Sequence, residues 1–254
     1  MRIPLLPVAF LLLTACGTPA TLVTDDLFRT AAPEVVRAWN SLSPLKAART
    51  ETLPAGAGLP VLKTRIAALP LPRKIMVGAA LTADERAALV QAFPTDRFVF
   101  FVPGASASGQ PTLTVNRADA WALVAGQAAR AQPGGAAVLF PEDASPEETQ
   151  RFASAWTKAG GGTLQVRPAN DPGPWNPMPS QVFQWAGPVA DPVILALPAS
   201  VPVHGNPGTV RTAGARGLTW KIRETDLANL LWNTVQDSTK KTIFLPLETK
   251  WVSR

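Results

Sequence analysis

One cysteine, Cys16, in 254 residues leaves the chain unable to form an internal disulfide or a cysteine-built metal site. The one histidine, His204, sits among Val203, Gly205 and Asn206 with no ligand-spaced partner, so neither metal binding nor imidazole base chemistry has support. Tyrosine is absent while eight tryptophans are present, a bias for which composition offers no cause. No G-x-S-x-G, P-loop or H-E-x-x-H pattern occurs. The Gly160-Gly161-Gly162 run follows a helical pattern instead of preceding one, which makes it a helix stop and not a phosphate cradle. Catalysis is therefore not expected, and neither is a cofactor. Beyond the first residues no apolar run is long and unbroken enough to span a bilayer.

What is present begins at the amino end. MRIPLLPVAFLLLTACG opens with a positive Arg2, continues through an apolar segment from Ile3 to Leu13, and reaches Leu13-Thr14-Ala15-Cys16. The apolar part has signal-peptide length and is too short for a permanent bilayer helix. The last four residues resemble the lipobox of bacterial lipoproteins. That resemblance implies cleavage before Cys16, diacylglycerol on its sulfur and an acyl group on its freed amine. At about 0.8 kcal/mol per buried methylene, two or three such chains give a stable anchor. The plain alternative is an ordinary cleaved signal with an incidental cysteine.

The whole chain is 46% hydrophobic and 17% charged, with 26 prolines and 18 glycines, which fits a globular body with many punctuated loops. Its length suits one large domain or two small lobes. Net charge is +6, with Lys and Arg scattered and not clustered. In an exported protein that balance reads as compatibility with a membrane surface, and no nucleic-acid partner is expected.

Short β-rich runs alternate with amphipathic helical segments, the pattern of a parallel sheet covered by helices. ATLVT (20–24), KAARTETL (46–53), KIMVGAAL (74–81), RFVFFV (97–102), PTLTVN (111–116), GAAVLF (135–140), TLQVRP (163–168), LTWKI (218–222) and TIFLPL (242–247) read as strands, the last on an edge because of Pro246. PVILALP (192–198) also reads as a strand. Helices are expected after Pro33, over LPVLKTRIAAL (59–69) and over RADAWALVAGQAARA (117–131). Thr82 with Glu85 and Ser145 with Glu148 spell capping boxes that open two more. SQVFQWAG (180–187) reads as a short helix, Thr225 as the cap of a late helix, and 201–217 as loop.

The stretch ADAWALVAGQAARAQPGGAAVLFPEDASPEETQRFASAWTKAGG (118–161) and, more weakly, LTWKIRETDLANLLWNTVQD (218–237) resemble the basic membrane protein family, nucleoside-binding lipoproteins of ABC importers with the type I periplasmic-binding-protein fold. The resemblance implies an α/β fold of two lobes, each a parallel sheet flanked by helices. Residues 1–15 would be the signal, 16–116 the first lobe, and 117–254 the second, with a crossing back near 218–254. It implies a small polar ligand, such as a nucleoside, held between lobes by hinge closure. The partners implied are an ABC permease and membrane lipid through Cys16, at the outer face of the cytoplasmic membrane or the periplasmic side. The chain departs from the family in carrying VTDDLFRTAAPEV (23–35) where the family has D-x-S-F-N, in lacking its G-V-D-x-D strand, and in being short. These departures keep open an alternative: an envelope scaffold or partner-binding lipoprotein that retains the fold without a ligand.

In such sheets ligands sit outside the carboxyl ends of strands. Asp25 and Asp26 are placed there to accept hydroxyl hydrogens from a ribose or other polyol, the alternative being a cap on the following helix. Phe28, on the same loop, is the best stacking candidate. Glu142 and Asp143 hold the matching place after GAAVLF, the alternative being a plain loop into the Ser145 cap. Trp175, beside the proline-rich 169–179, is a further stacking candidate, as is Trp185, and burial is the alternative for both.

Overall fold

The computed structural model describes residues 18–43, 46–54, 56–102, 110–169, 174–185, 191–207, 210, 217–237 and 241–252. Cys16 and the leader lie outside them. Two units divide the chain: Met1–Val115 with Ile222–Pro246, and Asn116–Lys221 with Leu247–Arg254.

The first unit begins with β1 (Ala20–Thr24), buried throughout, and a short helix α1 (Asp26–Ala31). Next come α2 (Pro33–Asn40), β2 (Ala48–Thr52), α3 (Leu59–Ala67), β3 (Lys74–Gly78), α4 (Ala83–Ala92), β4 (Arg97–Phe101) and β5 (Thr112–Thr114). Proline in the first turn starts α2, which buries Val35, Val36 and Trp39. The Thr82 box starts α4: Glu85 N–H donates to Thr82 Oγ1 at 3.2 Å, and Thr82 N–H donates to Glu85 Oε2 at 2.8 Å. A later pair, α8 (Leu227–Asp237) and β11 (Thr242–Phe244), returns to this unit. The sheet order is β11-β5-β4-β3-β1-β2, and every neighbouring pair is parallel. Val23, Leu62, Ile66, Ile75, Leu89 and Phe98 make the core between the sheet and the helices on one face. On α8, Trp232 meets Trp39 of α2 at 6.4 Å between ring centroids.

The second unit runs through α5 (Arg117–Ala131), β6 (Ala136–Phe140), α6 (Pro146–Lys158), β7 (Leu164–Pro168), β8 (Gln181–Gln184), α7 (Asp191–Leu195), β9 (Val203–Gly205) and β10 (Gly217–Ile222), and ends in β12 (Leu247–Val252). Its sheet order is β12-β10-β9-β8-β6-β7, with the β10-β9, β9-β8, β8-β6 and β6-β7 pairs parallel. The small residues of α5 let α6 come close: a Cβ on Gly126 would lie 3.7 Å from the Ala155 carbonyl oxygen.

Three expected elements differ, all in this unit. Residues 180–187 hold strand β8, not a helix. All four of its residues are buried, so no alternation shows, and Gln181 bonds internally, its Nε2 donating to the Gln132 carbonyl at 2.7 Å. Residues 192–198 hold the end of helix α7, not a strand, because a short apolar run carries no period that separates the two. Within the expected loop 201–217 lies β9, three buried residues too short to read. In the first unit α8 starts at Leu227, two residues beyond the expected cap Thr225, after Asp226 at φ 60°.

Candidate functional site

Leaving aside the outermost strands β11 and β12, both sheets have the order 2-1-3-4-5 when strands are numbered within each unit. In that winding the chain runs outward on one side of the first strand and then on the other. The loops after the first and third strands diverge there, leaving a crevice at the carboxyl edge. The two switch points are β1/β3 and β6/β8.

At β1/β3 the paired strands end on Thr24 and Gly78. Asp25 then turns the chain into α1 as its N-cap, with Phe28 N–H donating to Asp25 Oδ1 at 2.7 Å. One oxygen of the anticipated ligand carboxylate therefore serves the cap. Asp26 is exposed on the first turn of α1, 3.9 Å from Arg29 Nη1. The cap folds the Phe28 ring back over the strand ends, 4.7 Å from the Phe101 centroid at the end of β4. A Cβ on Gly78 would approach to 2.7 Å from Phe28 Cδ1, so the seat of this ring exists because residue 78 has no side chain. Asp25, Asp26 and Phe28 thus stand on one turn after β1, the half-exposed ring over the strand ends, the Asp25 carboxylate at the helix cap and Asp26 exposed toward Arg29. The sequence pointed to all three but not to Gly78 or Phe101, whose one visible signal is their position at the end of apolar runs.

At β6/β8 the crevice is occupied by rings. The Trp121 ring of α5 stacks on Phe140 at the end of β6, 4.9 Å between centroids, and lies tilted 4.9 Å from Trp185 just after β8. Trp121 is 1% exposed and Trp185 4%, and neither indole N–H has a partner among the described residues. Trp185 is accordingly buried. Glu142 is exposed on the 141–144 turn. Asp143 is drawn into an ion pair: its Oδ2 accepts from Arg117 Nη1 at 3.1 Å and its carbonyl from Arg117 Nη2 at 3.2 Å. Arg117 also grips Glu148 through two nitrogens, Nη2 to Oε2 at 2.9 Å and Nε to Oε1. Its guanidinium lies 5.5 Å from the Trp121 ring. The hydrogen bonds to Arg117 hold the largely buried Glu148 carboxyl below its usual range, and the same bonds raise Arg117. Trp175 is elsewhere: it packs against the cluster of Ala137, Ala169 and Ile194, with Arg167 of the edge strand β7 5.5 Å from its ring.

Replacing Arg117 by alanine leaves Glu148 with its Ser145 cap contacts and no cation. Because Arg117 is 44% exposed, the cost falls below that of a fully buried pair, at about 2 kcal/mol, read as a lower urea midpoint. Glu148→Gln, which keeps the shape, is expected to cost less.

Among the described residues no group of three His, Cys, Asp or Glu side chains is positioned to hold a metal ion, and no helix is long and apolar enough to cross a membrane.

No protein-family model matches the chain, and no curated protein matches it. Solved structures do. A periplasmic ribose ABC transporter structure from Conexibacter woesei aligns at TM-score 0.59 and 12% identity, covering 92% of each chain. A LacI-family transcriptional regulator from Weissella paramesenteroides, solved with bound sucrose, aligns at 0.56 and 10%, covering 93% of this chain and 97% of that one. The lac repressor dimer bound to operator and an anti-inducer aligns at 0.52 and 15%, covering 99% and 98%. Together they define the class: an α/β protein with the two-lobed fold of periplasmic binding proteins and LacI-type regulators. At these identities the likeness establishes the fold, a ligand-binding one in those neighbours, and nothing in it points to the basic membrane protein family in particular.

Proposed function

We propose that the protein is a membrane-anchored, solute-binding lipoprotein that takes a small hydroxyl-bearing molecule, a nucleoside or a sugar, for an ABC permease. One observation carries this reading: the β1/β3 switch point sets the Phe28 ring, seated on Gly78, on the same turn as the Asp25 and Asp26 carboxylates. A ring face and acceptor oxygens on one turn match the two faces of a sugar or nucleoside, one apolar and one bearing hydroxyls. The ribose-transporter and sucrose-bound neighbours add weight to it. On this reading Cys16 carries the lipid, and the protein is not an enzyme. The lac repressor's operator is a property of that neighbour and is not carried over.

The test is a calorimetric titration of the folded protein with a panel of nucleosides and monosaccharides. At least one member is expected to bind, with Phe28→Ala weakening it tenfold or more and Trp175→Ala leaving it unchanged. A folded sample that takes up no member of the panel overturns the reading.

A second reading has an observation of its own. The β6/β8 crevice is filled by Trp121, Phe140 and Trp185, which suits an envelope scaffold or partner-binding lipoprotein that keeps the fold without a solute. A silent titration selects it.

A further inference from the structure

Lys and Arg are scattered along the chain, but the first unit gathers them. Because its six strands are parallel, all start at one edge. At each strand the two residues before it and its first two residues define that edge. Among the described side chains there, the cations are Lys46, Arg49, Arg73, Lys74, Arg97 and Lys241, and the one carboxylate is Asp96, which is ion-paired to Arg73 at 3.2 Å. The matching window at the opposite edge contains Asp25, Asp26 and Glu51 and, among the described residues, no cation. The sheet is basic where its strands begin and acidic where they end.

The chain enters the fold at the basic edge. Thr18 O accepts from Gln236 Nε2 at 2.7 Å, and Gln236 Oε1 accepts from Lys74 Nζ at 2.6 Å. Pro19, Arg49, Arg73 and Lys74 line a shallow recess there, too small to enclose a solute. Leu71, in the loop leading into β3, is 70% exposed beside that recess. Cys16 stands two residues before Thr18, a reach of at most about 7 Å. The acidic edge lies farther off by the length of a five-residue strand, roughly 16 Å. A lipid on Cys16 therefore brings a bilayer to the basic edge first.

We propose that the amino edge of this sheet rests on anionic phospholipid headgroups, with Lys46, Arg49, Lys74 and Lys241 facing the phosphates and Leu71 at headgroup level. Each basic side chain at such a surface multiplies partitioning about fivefold, and the effect fades within a Debye length of about 10 Å at 0.1 M salt. The acidic edge, with Phe28 and the two aspartates, then faces away from the membrane. This inference rests on the lipid-anchor reading of Cys16.

The experiment uses the full chain recovered from membranes and returned to vesicles, either pure phosphatidylcholine or a mixture with about one third phosphatidylglycerol. Lysine acetylation and carboxyl labelling are read by mass spectrometry. Lys46, Lys74 and Lys241 are expected to react at least fivefold more slowly on the anionic vesicles, the protection disappearing in 0.5 M salt, while Asp26 and Glu51 label equally on both. The exposed double substitution Arg49→Glu with Lys241→Glu is expected to bring protection of Lys46 and Lys74 down to the neutral-vesicle level. Equal lysine rates on both vesicles, or protection of Asp26 and Glu51 instead, overturn the proposal. The mass of the N-terminal peptide is read from the same sample. An acylated Cys16 without lysine protection refutes the docking edge and leaves the anchor standing. Protection without acylation upholds the edge and refutes the anchor.

Discussion

Gly217→Ala is expected to open the second unit at the seam between β9 and β10, lowering its stability by about 3–5 kcal/mol. Gly217 is the first residue of β10, and a Cβ there would fall within the van der Waals shell of the Val203 carbonyl, with His204 N at 3.3 Å. The atoms in the way are backbone, so no side chain can swing aside. Gly205, at φ 156°, has the same problem on the other side of β9, where a Cβ would strike the Gln184 carbonyl, and its conformation is one that side chains rarely adopt. The strands would have to part, giving up the Thr219 hydroxyl bond to the Gly205 carbonyl at 2.9 Å and the burial of Val203 and Leu218. Gly126→Ala in α5 of the same unit is the control. Its Cβ has room, and alanine favours helix over glycine, so stability is expected to hold or rise by up to about 1 kcal/mol. Urea unfolding followed by tryptophan fluorescence reads both. A Gly217→Ala protein as stable as the parent would show that β9 and β10 do not meet this closely.

The first unit was legible in the sequence because its elements announce themselves locally. The Thr82–Glu85 box, the prolines opening α2 and α3, and runs such as RFVFF each carry their signal within a few residues. The second unit was legible as far as β7 and again at β10, and the elements missed each have a physical cause. The strands β8 and β9 are buried on both faces yet carry polar residues, of which Gln181 and His204 bond each other and Gln181 bonds Gln132, partners far apart in the chain. In α7, five residues are too few for a helical period to appear. The last strand, β12, went unread because LETKWV alternates without burying either face fully.

The candidate site was legible to the same extent and for the same reason. Asp25, Asp26 and Phe28 stand on one loop after an obvious strand, so position alone singles them out. What seats Phe28 lies some fifty and seventy residues further on, at Gly78 and Phe101, and only the parallel register of β1, β3 and β4 joins them. Asp143 looked available because nothing near it in the chain neutralises it, yet Arg117, 26 residues earlier, does. The basic edge is the extreme case. Its members run from Lys46 to Lys241, and no window along the chain shows a cluster that six parallel strands assemble.

His204 gives the protein its largest expected response to pH. Leu218 N–H donates to His204 Nδ1 at 2.8 Å, so the proton of the neutral ring sits on Nε2 and points to Gln181 Oε1 at 3.0 Å. The ring is 1% exposed, between Phe183 and Trp251, and burial lowers its pKa to about 3. A second proton would have to go on Nδ1, facing the Leu218 N–H. In the unfolded chain the same histidine takes up a proton near its ordinary value of about 6.5. Between these two values the unfolded state binds more protons than the folded one, so stability is complete above pH 6.5 and drains as pH falls toward 3. The full loss is on the order of 5 kcal/mol, of which about 2 kcal/mol appears between pH 6.5 and 5, where ordinary carboxylates remain ionised. Urea midpoints across that interval are expected to fall for the parent and stay level for His204→Gln, which is less stable at pH 7 because it loses the link to β10. A parent protein whose midpoint is flat from pH 6.5 to 5 would mean that the ring is not held neutral between β8 and β10, and the seam that Gly217 makes possible would then lack its side-chain stitch.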